Sequence, residues 1–197
     1  MTDQPRERTM SSDIERLRQA IRNVPDFPQP GIQFKDITPL LADPELFELS
    51  VDLMTAPYQQ GDIDAVVGID ARGFIFAAAA ARKLSAGFVP VRKKGKLPYQ
   101  TIEKSYDLEY GSNTVAMHVD AVPSGARVLL LDDLLATGGT AAAALQLLGS
   151  LEADIKEAVF LIELDFLGGR KGLGDVAARS LIHYLSLIHI SEPTRRS

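Results

Sequence analysis

The chain contains no cysteine and no tryptophan. Without cysteine there are no disulfides and no thiolate nucleophile or metal ligand, which suits a reducing compartment. A surplus of positive charge is also missing. The net charge is −5 at pH 7, so no basic face for nucleic acid is expected. Phe74 to Ala81 is apolar but is closed by Arg82-Lys83, well short of a membrane span. The opening residues, "MTDQPRERTMSSD", hold no hydrophobic secretory segment. The expectation is a soluble, cytoplasmic protein without membrane or nucleic-acid partners. What is present is globular: 46% hydrophobic and 24% charged residues in a chain of 197, enough for one well-buried domain.

Ser12-Asp13-Ile14-Glu15 has capping-box spacing, and Ile14, Leu17, Ile21 and Val24 recur on one helical face. That helix should stop before Pro25, and "PDFPQPG" reads as irregular. Asp43-Pro44 reads as N-cap and first helical residue of a helix through Leu46, Leu49 and Leu53. Further on, "DAVVGI", "GFVPV", "RVLLL" and "EAVFLIEL" read as strands, and "GFIFAAAAARKL" and "TAAAALQLLGSL" as helices. "TVAMHVD" alternates with period two. Strands apolar on both faces and separated by helices predict a parallel sheet covered on both sides, an α/β fold.

The stretch "RVLLLDDLLATGGT", Arg127 to Thr140, places two acids where a buried strand is expected to end, followed by a small-residue loop and a helix. In open parallel sheets, ligands bind beyond the carboxyl ends of the strands. Successive amides from Thr137 to Thr140 at a helix N-terminus would cradle a phosphate. Asp132 and Asp133 beside that cradle need separate partners, and the vicinal hydroxyls of a ribose would serve. The loop has neither a Walker A ending nor GxGxxG spacing. Taken alone, "TGGT" reads more readily as a plain strand-to-helix turn, with Gly for geometry and Asp for solubility.

The whole "LLLDDLLATGGT" string resembles the phosphoribosyl pyrophosphate (PRPP) motif of the type I phosphoribosyltransferases. "DDLLATGGT" is similar to the adenine branch of that family. "FPQPGIQFKDITPLL", "GIDARGF" and "VPVRKKGKLPYQTIEKSYDLEYG" resemble its other segments in the same order, and together they cover about Ile14 to Tyr184. The resemblance implies a type I phosphoribosyltransferase fold: a central, mostly parallel sheet flanked by helices, with an N-terminal hood near 24–42 and a flexible flap near 95–113. It assigns the ribose and 5-phosphate of PRPP to Asp132, Asp133, Ala136, Thr137, Gly138, Gly139 and Thr140. It assigns the pyrophosphate to Asp70, Ala71, Arg72, Arg92, Lys93 and Lys96, acting within one subunit or across a dimer interface. Adenine would lie against Gln33, Phe34, Lys35 and Leu164. Gln33 departs from the bulkier aliphatic residue usual there.

The implied catalytic residues are Arg72, a pyrophosphate clamp, with Glu109 and Tyr110 in the flap. Glu109 would exchange a proton with a purine ring nitrogen. Four cations within Arg92–Lys96 would repel one another unless an anion joins them, with Lys94 the most plausible solvated member. No His/Cys/Asp cluster with ligand spacing is visible, and His118 and His183 fall in separate strands. Mg²⁺ is therefore expected on substrate oxygens, with no direct protein ligand. The implied activity is purine salvage: transfer of the 5-phosphoribosyl group from PRPP to adenine, giving AMP and pyrophosphate. The family's habit is a homodimer. Rival readings are transfer to another purine base, or a non-catalytic PRPP-sensing regulator.

Finally, "LSLIHISEPTR", Leu185 to Arg195, resembles the in-frame translation of a transposase-type sequencing adapter. A non-native tail over 185–197 is expected, with one domain over 1–184 and no role for His189.

Overall fold

In the computed structural model, which describes residues 4–107 and 112–186, the chain opens with helix α1 (Gln4–Ala20). The capping-box spacing at Ser12–Glu15 therefore lies inside this helix, not at its start. Leu17 is fully buried, but Ile21 and Val24 fall beyond the helix end. The chain instead enters a two-stranded antiparallel ribbon, β1 (Arg22–Pro25) with β2 (Gln33–Asp36), in register Val24↔Phe34. The proline-rich connection is closed by Asp26, whose carboxylate accepts from the Gly31 N–H at 2.8 Å.

Helices α2 (Thr38–Ala42) and α3 (Pro44–Thr55) follow. Asp43 caps α3 as its position before proline predicts, accepting from the N–H groups of Glu45 at 2.9 Å and Leu46 at 3.1 Å. The alternating part then runs β3 (Ala65–Ile69), α4 (Gly73–Leu84), β4 (Gly87–Lys93), β5 (Thr101–Asp107) and β6 (Ser112–His118). It continues with β7 (Arg127–Leu135), α5 (Gly139–Ser150), β8 (Asp154–Leu164) and β9 (Ala178–Tyr184). Two short 3₁₀ turns, Asp165–Leu167 and Gly169–Leu173, precede β9.

Seven strands form one sheet in the order β5-β6-β4-β3-β7-β8-β9. β4, β3, β7, β8 and β9 are parallel, while β5 and β6 run antiparallel at one edge. The polar stretch read as a flap thus contributes a strand, β5, pinned to β6 along its length. One face of the sheet packs under α1 to α4 through residues such as Leu17, Met54, Phe76, Leu129 and Leu161. The other face packs under α5 through Val67, Leu130, Phe160, Leu145 and Leu148. Every residue of β3 is buried, as a strand covered on both sides requires.

The strand order positions the site. β3 leads through α4 to β4 on one side, and β7 leads through α5 to β8 on the other. The two connections diverge above the β3/β7 boundary, a topological switch point where a crevice forms between the loops after the strands. Those loops carry Asp70–Arg72 and Ala136–Gly138.

Candidate active site

The two acids do not end β7. β3 stops pairing with β7 at Gly68↔Leu131, but β8 holds β7 through Asp132↔Phe160 and on to Leu135↔Glu163. Asp132 and Asp133 therefore sit inside a strand, on the flank that β3 leaves free. Past Leu135 the chain turns through Gly138, which stands in the left-handed region at φ 82° and precedes α5. Among the described residues no side chain caps α5, and its first turn holds no acid, so none of them neutralises the helix dipole's positive end from a cap or the first turn. Asp132 and Ala136 to Thr140 line an open concavity.

The floor of this cup is backbone against backbone. A Cβ on Gly138 would lie 2.2 Å from the carbonyl oxygen of Gly169, and a Cβ on Gly169 would lie 2.3 Å from that of Ala136. Only glycine fits either position. Gly169 was not foreseen from the sequence, because the contact joins segments about thirty residues apart and no local pattern announces it.

Arg72, the residue preceding α4, joins three of the expected subsites. Its Nε lies 2.8 Å from Oδ2 of Asp133, whose side chain is only 8% exposed. Its guanidinium carbon also lies 5.3 Å from the ring centroid of Phe34 on β2. Phe34 is held in turn by an edge contact with Phe27 at 5.2 Å. Asp132 accepts from the Asp133 N–H at 2.9 Å. Burial, reinforced by the adjacent Asp133, pushes Asp132 well above the usual carboxylate range. Burial raises Asp133 too, with the Arg72 charge opposing it. Two hydroxyl donors on this pair would favour its ionised form.

Beside Arg72, Asp70 accepts from Arg92 Nε at 3.0 Å, and Arg92 donates a second bond to the Lys96 carbonyl at 3.0 Å. Asp70, Ala71, Arg72, Arg92 and Lys96 therefore share one rim of the crevice. The expected mutual repulsion of the cations is already relieved for two of the four, since Lys94 pairs with Glu103 at 2.7 Å and Arg92 with Asp70. Lys93 and Lys96 are exposed and make no ion pair among the described residues.

On the base side, Gln33 is exposed and Phe34 half-buried. The Lys35 ammonium donates to Asn23 Oδ1 at 2.5 Å and lies 4.0 Å from the Tyr184 ring centroid. Burial, then the nearby Arg18, lowers its pKa. Tyr184 is the cross-strand partner of Leu164 at the end of β8. Lys35 thus ties the ribbon to the strand end that presents Leu164, and Arg72 ties it to the acids. Glu109 and Tyr110 lie outside the described residues.

One grouping of potential ligands is formed by the fold rather than by sequence spacing. Glu163, Asp165 and His183 bring their oxygen and nitrogen atoms within 4.8 Å of one another. Glu163 and His183 are cross-strand partners of β8 and β9, a register no spacing rule could reveal. Its cation is Arg170, whose guanidinium reaches both oxygens of the buried Glu163 at 2.7 to 3.1 Å, with Ser180 donating at 2.6 Å. A carboxylate so saturated is a buttress for the 3₁₀ turn that carries Gly169, not a metal ligand. The oxygen-only pair Asp132 and Asp133 better suits Mg²⁺ held through water.

The fold and the site define a class: an α/β protein with a mostly parallel sheet that gathers a cup at a helix N-terminus, an acid pair and a cationic rim at one switch point. Residues 38–171 match the model of the phosphoribosyl transferase domain. The adenine phosphoribosyltransferase of Acidothermus cellulolyticus is 58% identical over 172 residues, covering 87% of this chain and 97% of that protein. That of Thermobifida fusca is 52% identical over 173 residues, covering 87% and 98%. The crystal structure of the Rhodothermus marinus adenine phosphoribosyltransferase superposes with a TM-score of 0.84 at 52% identity, covering 88% of this chain and 99% of that one. The chain belongs to the phosphoribosyl transferase family, within it to the adenine phosphoribosyltransferases.

Proposed function

We propose that this protein transfers the 5-phosphoribosyl group of PRPP to adenine, releasing AMP and pyrophosphate. One observation carries the reading: a single guanidinium, Arg72, touches Asp133 at 2.8 Å and Phe34 at 5.3 Å. Sugar acids, leaving-group clamp and aromatic base platform therefore meet at one point. A Saccharomyces cerevisiae adenine phosphoribosyltransferase, whose structure has adenine and an imino-altritol bisphosphate bound, superposes with a TM-score of 0.82 at 40% identity. It covers 87% of this chain and 99% of that one.

The 5-phosphate sits on the first turn of α5 within Ala136–Thr140, where amides and the dipole favour an anion. Asp132 and Asp133 accept from the 2′- and 3′-hydroxyls and fix the ring over the crevice. Arg72, Arg92, Lys93 and Lys96 bind the pyrophosphate and take up the charge it gains as it leaves. Adenine stacks against Phe34, with Leu164 opposite. Its N9 forms the new bond to C1′ as the C1′–oxygen bond breaks, and Glu109 takes the N9 proton. Asp132 or Asp133 would hold a Mg²⁺ through water, and the ion would supply positive charge for the pyrophosphate side of the site.

A cytoplasmic homodimer completes the reading. Ile75 and Phe88 support the dimer, being exposed apolar side chains on adjoining elements, with Phe88 in edge contact with Phe74 at 5.5 Å. Among the described residues no helix is long and apolar enough to cross a membrane. The test is direct. Incubated with Mg²⁺ and PRPP, the protein should form AMP and pyrophosphate with adenine and little nucleotide with hypoxanthine, guanine or xanthine. Equal turnover of another base, or none with adenine, would overturn the reading.

A further inference from the structure

The β5 strand reaches the phosphate cup through one residue. Ile102 and Tyr106 both pack toward α5 and its core, as residues four apart on a strand share a face. Near the strand's far end the Tyr106 ring rests against the start of α5. A Cβ on Gly139 would come 2.9 Å from Tyr106 Cδ2, so the glycine is the seat of the ring. From that seat the phenol reaches Thr140, whose hydroxyl donates to Tyr106 Oη at 2.8 Å. Gly139 and Thr140 are themselves walls of the cup.

A proton count decides what this pair can do. A threonine hydroxyl has one proton, and that of Thr140 is spent on Tyr106. The phenol, having accepted, keeps its own proton, and no acceptor for it is present among the described residues. A donor without an acceptor among the described residues therefore stands against Thr140, a wall of the cup whose other donors are backbone amides and the Thr137 hydroxyl. We propose that Tyr106 is a further substrate-binding residue, donating its phenolic O–H to a terminal phosphate monoester seated on the first turn of α5. This rests on the reading that Ala136–Thr140 takes the 5-phosphate, and it adds to that subsite a side-chain donor from β5. The ligand class is a nucleoside or sugar 5-phosphate. The phenol contributes nothing to the unphosphorylated nucleoside.

AMP and adenosine differ only in the phosphate, so their affinities isolate the contact. Titration calorimetry on the full chain compares wild type, Tyr106→Phe and Ser105→Ala. Phenylalanine keeps the ring on Gly139 and removes only the hydroxyl. Ser105, whose hydroxyl pairs with Thr114 away from the cup, is the control on the same strand. Tyr106→Phe should lose about tenfold in AMP affinity, as expected for one hydrogen bond to a charged group, and nothing in adenosine affinity. Ser105→Ala should match wild type for both ligands. The proposal is overturned if Tyr106→Phe binds AMP as wild type does, or if AMP and adenosine weaken equally, the mark of a merely structural role. A wild type that binds adenosine as tightly as AMP would instead overturn the 5-phosphate reading itself.

Discussion

Replacing Gly138 by alanine should damage the cup proposed for the 5-phosphate more than replacing a glycine whose added methyl meets open space. Gly138 combines a left-handed φ of 82° with a Cβ position 2.2 Å from the Gly169 carbonyl oxygen. The left-handed conformation alone costs an L-residue about 1–2 kcal/mol. The overlap must be relieved by moving one backbone about 1 Å, at a further ~1–3 kcal/mol. A total near 3 kcal/mol corresponds to a melting-temperature loss of about 6–12 °C for a domain of this size. Because the moving atoms belong to the cup, kcat/KM for PRPP should fall about 100-fold, while KM for adenine stays near the wild-type value. Gly61→Ala is the control: its φ is 90° but nothing lies within 4 Å of the added methyl. It should lose only the conformational part in melting temperature and nothing in PRPP kinetics. Differential scanning calorimetry and initial rates with varied PRPP measure both effects. Equal melting losses in the two variants, with PRPP kinetics intact in both, would refute the backing of the cup by Gly169.

Three other substitutions test the electrostatics and the scaffold. Arg72→Ala removes the cation that opposes the upward push of burial on Asp133. A carboxyl whose folded pKa is raised stabilises the fold when protonated and loses that contribution as pH rises through the folded value. The variant should therefore trail wild type by about 1–3 kcal/mol at pH 8 after allowance for the exposure of Arg72, and the gap should close toward pH 5. A gap independent of pH in denaturant titrations would argue against the pairing. Asp64 is held down to about 2, chiefly by the Arg127 side chain and then by its N–H. Its contribution is present above the ordinary value of 3.8 and lost as pH falls toward 2. In carboxyl ¹³C NMR, Arg127→Leu should move the Asp64 titration most of the way back toward 3.8, and an unmoved midpoint would contradict the assignment. Asp43→Ala deletes the α3 cap and should cost about 1 kcal/mol, roughly 2–4 °C in melting temperature, with activity unchanged.

The parallel core was legible because its strands are continuous apolar runs. "RVLLL" could only be a strand buried on both faces, and Val128 to Leu131 are fully buried. The Asp43 cap and the small-residue turn into α5 were legible because both are local chemistry. The extension of β7 through the acid pair was not, since polar residues at a strand end read as a stop. Pairing with β8 alone carries it to Leu135. The β1–β2 ribbon was hidden because its strands are only four residues long and mostly polar, with no buried residue and no alternation in either. β5 was read only as part of a polar flap because an edge strand with one face in solvent needs few apolar residues.

The candidate site divides along the same line. Asp132, Asp133, Arg72 and Phe34 carry recognisable chemistry, and the fold brings them together. What escaped are partners supplied from afar. Gly169 lies under the cup, Arg170 locks Glu163, and Tyr106 rests on Gly139. Each depends on register or on a turn reaching back across the sheet, and neither leaves a trace in sequence spacing.

A crystal structure with AMP bound reads the central assignment most directly. The ribose hydroxyls should lie within about 3.2 Å of the carboxylates of Asp132 and Asp133, with the phosphate on the first turn of α5. A nucleotide found elsewhere, with the acid pair making no contact to the sugar, would contradict it.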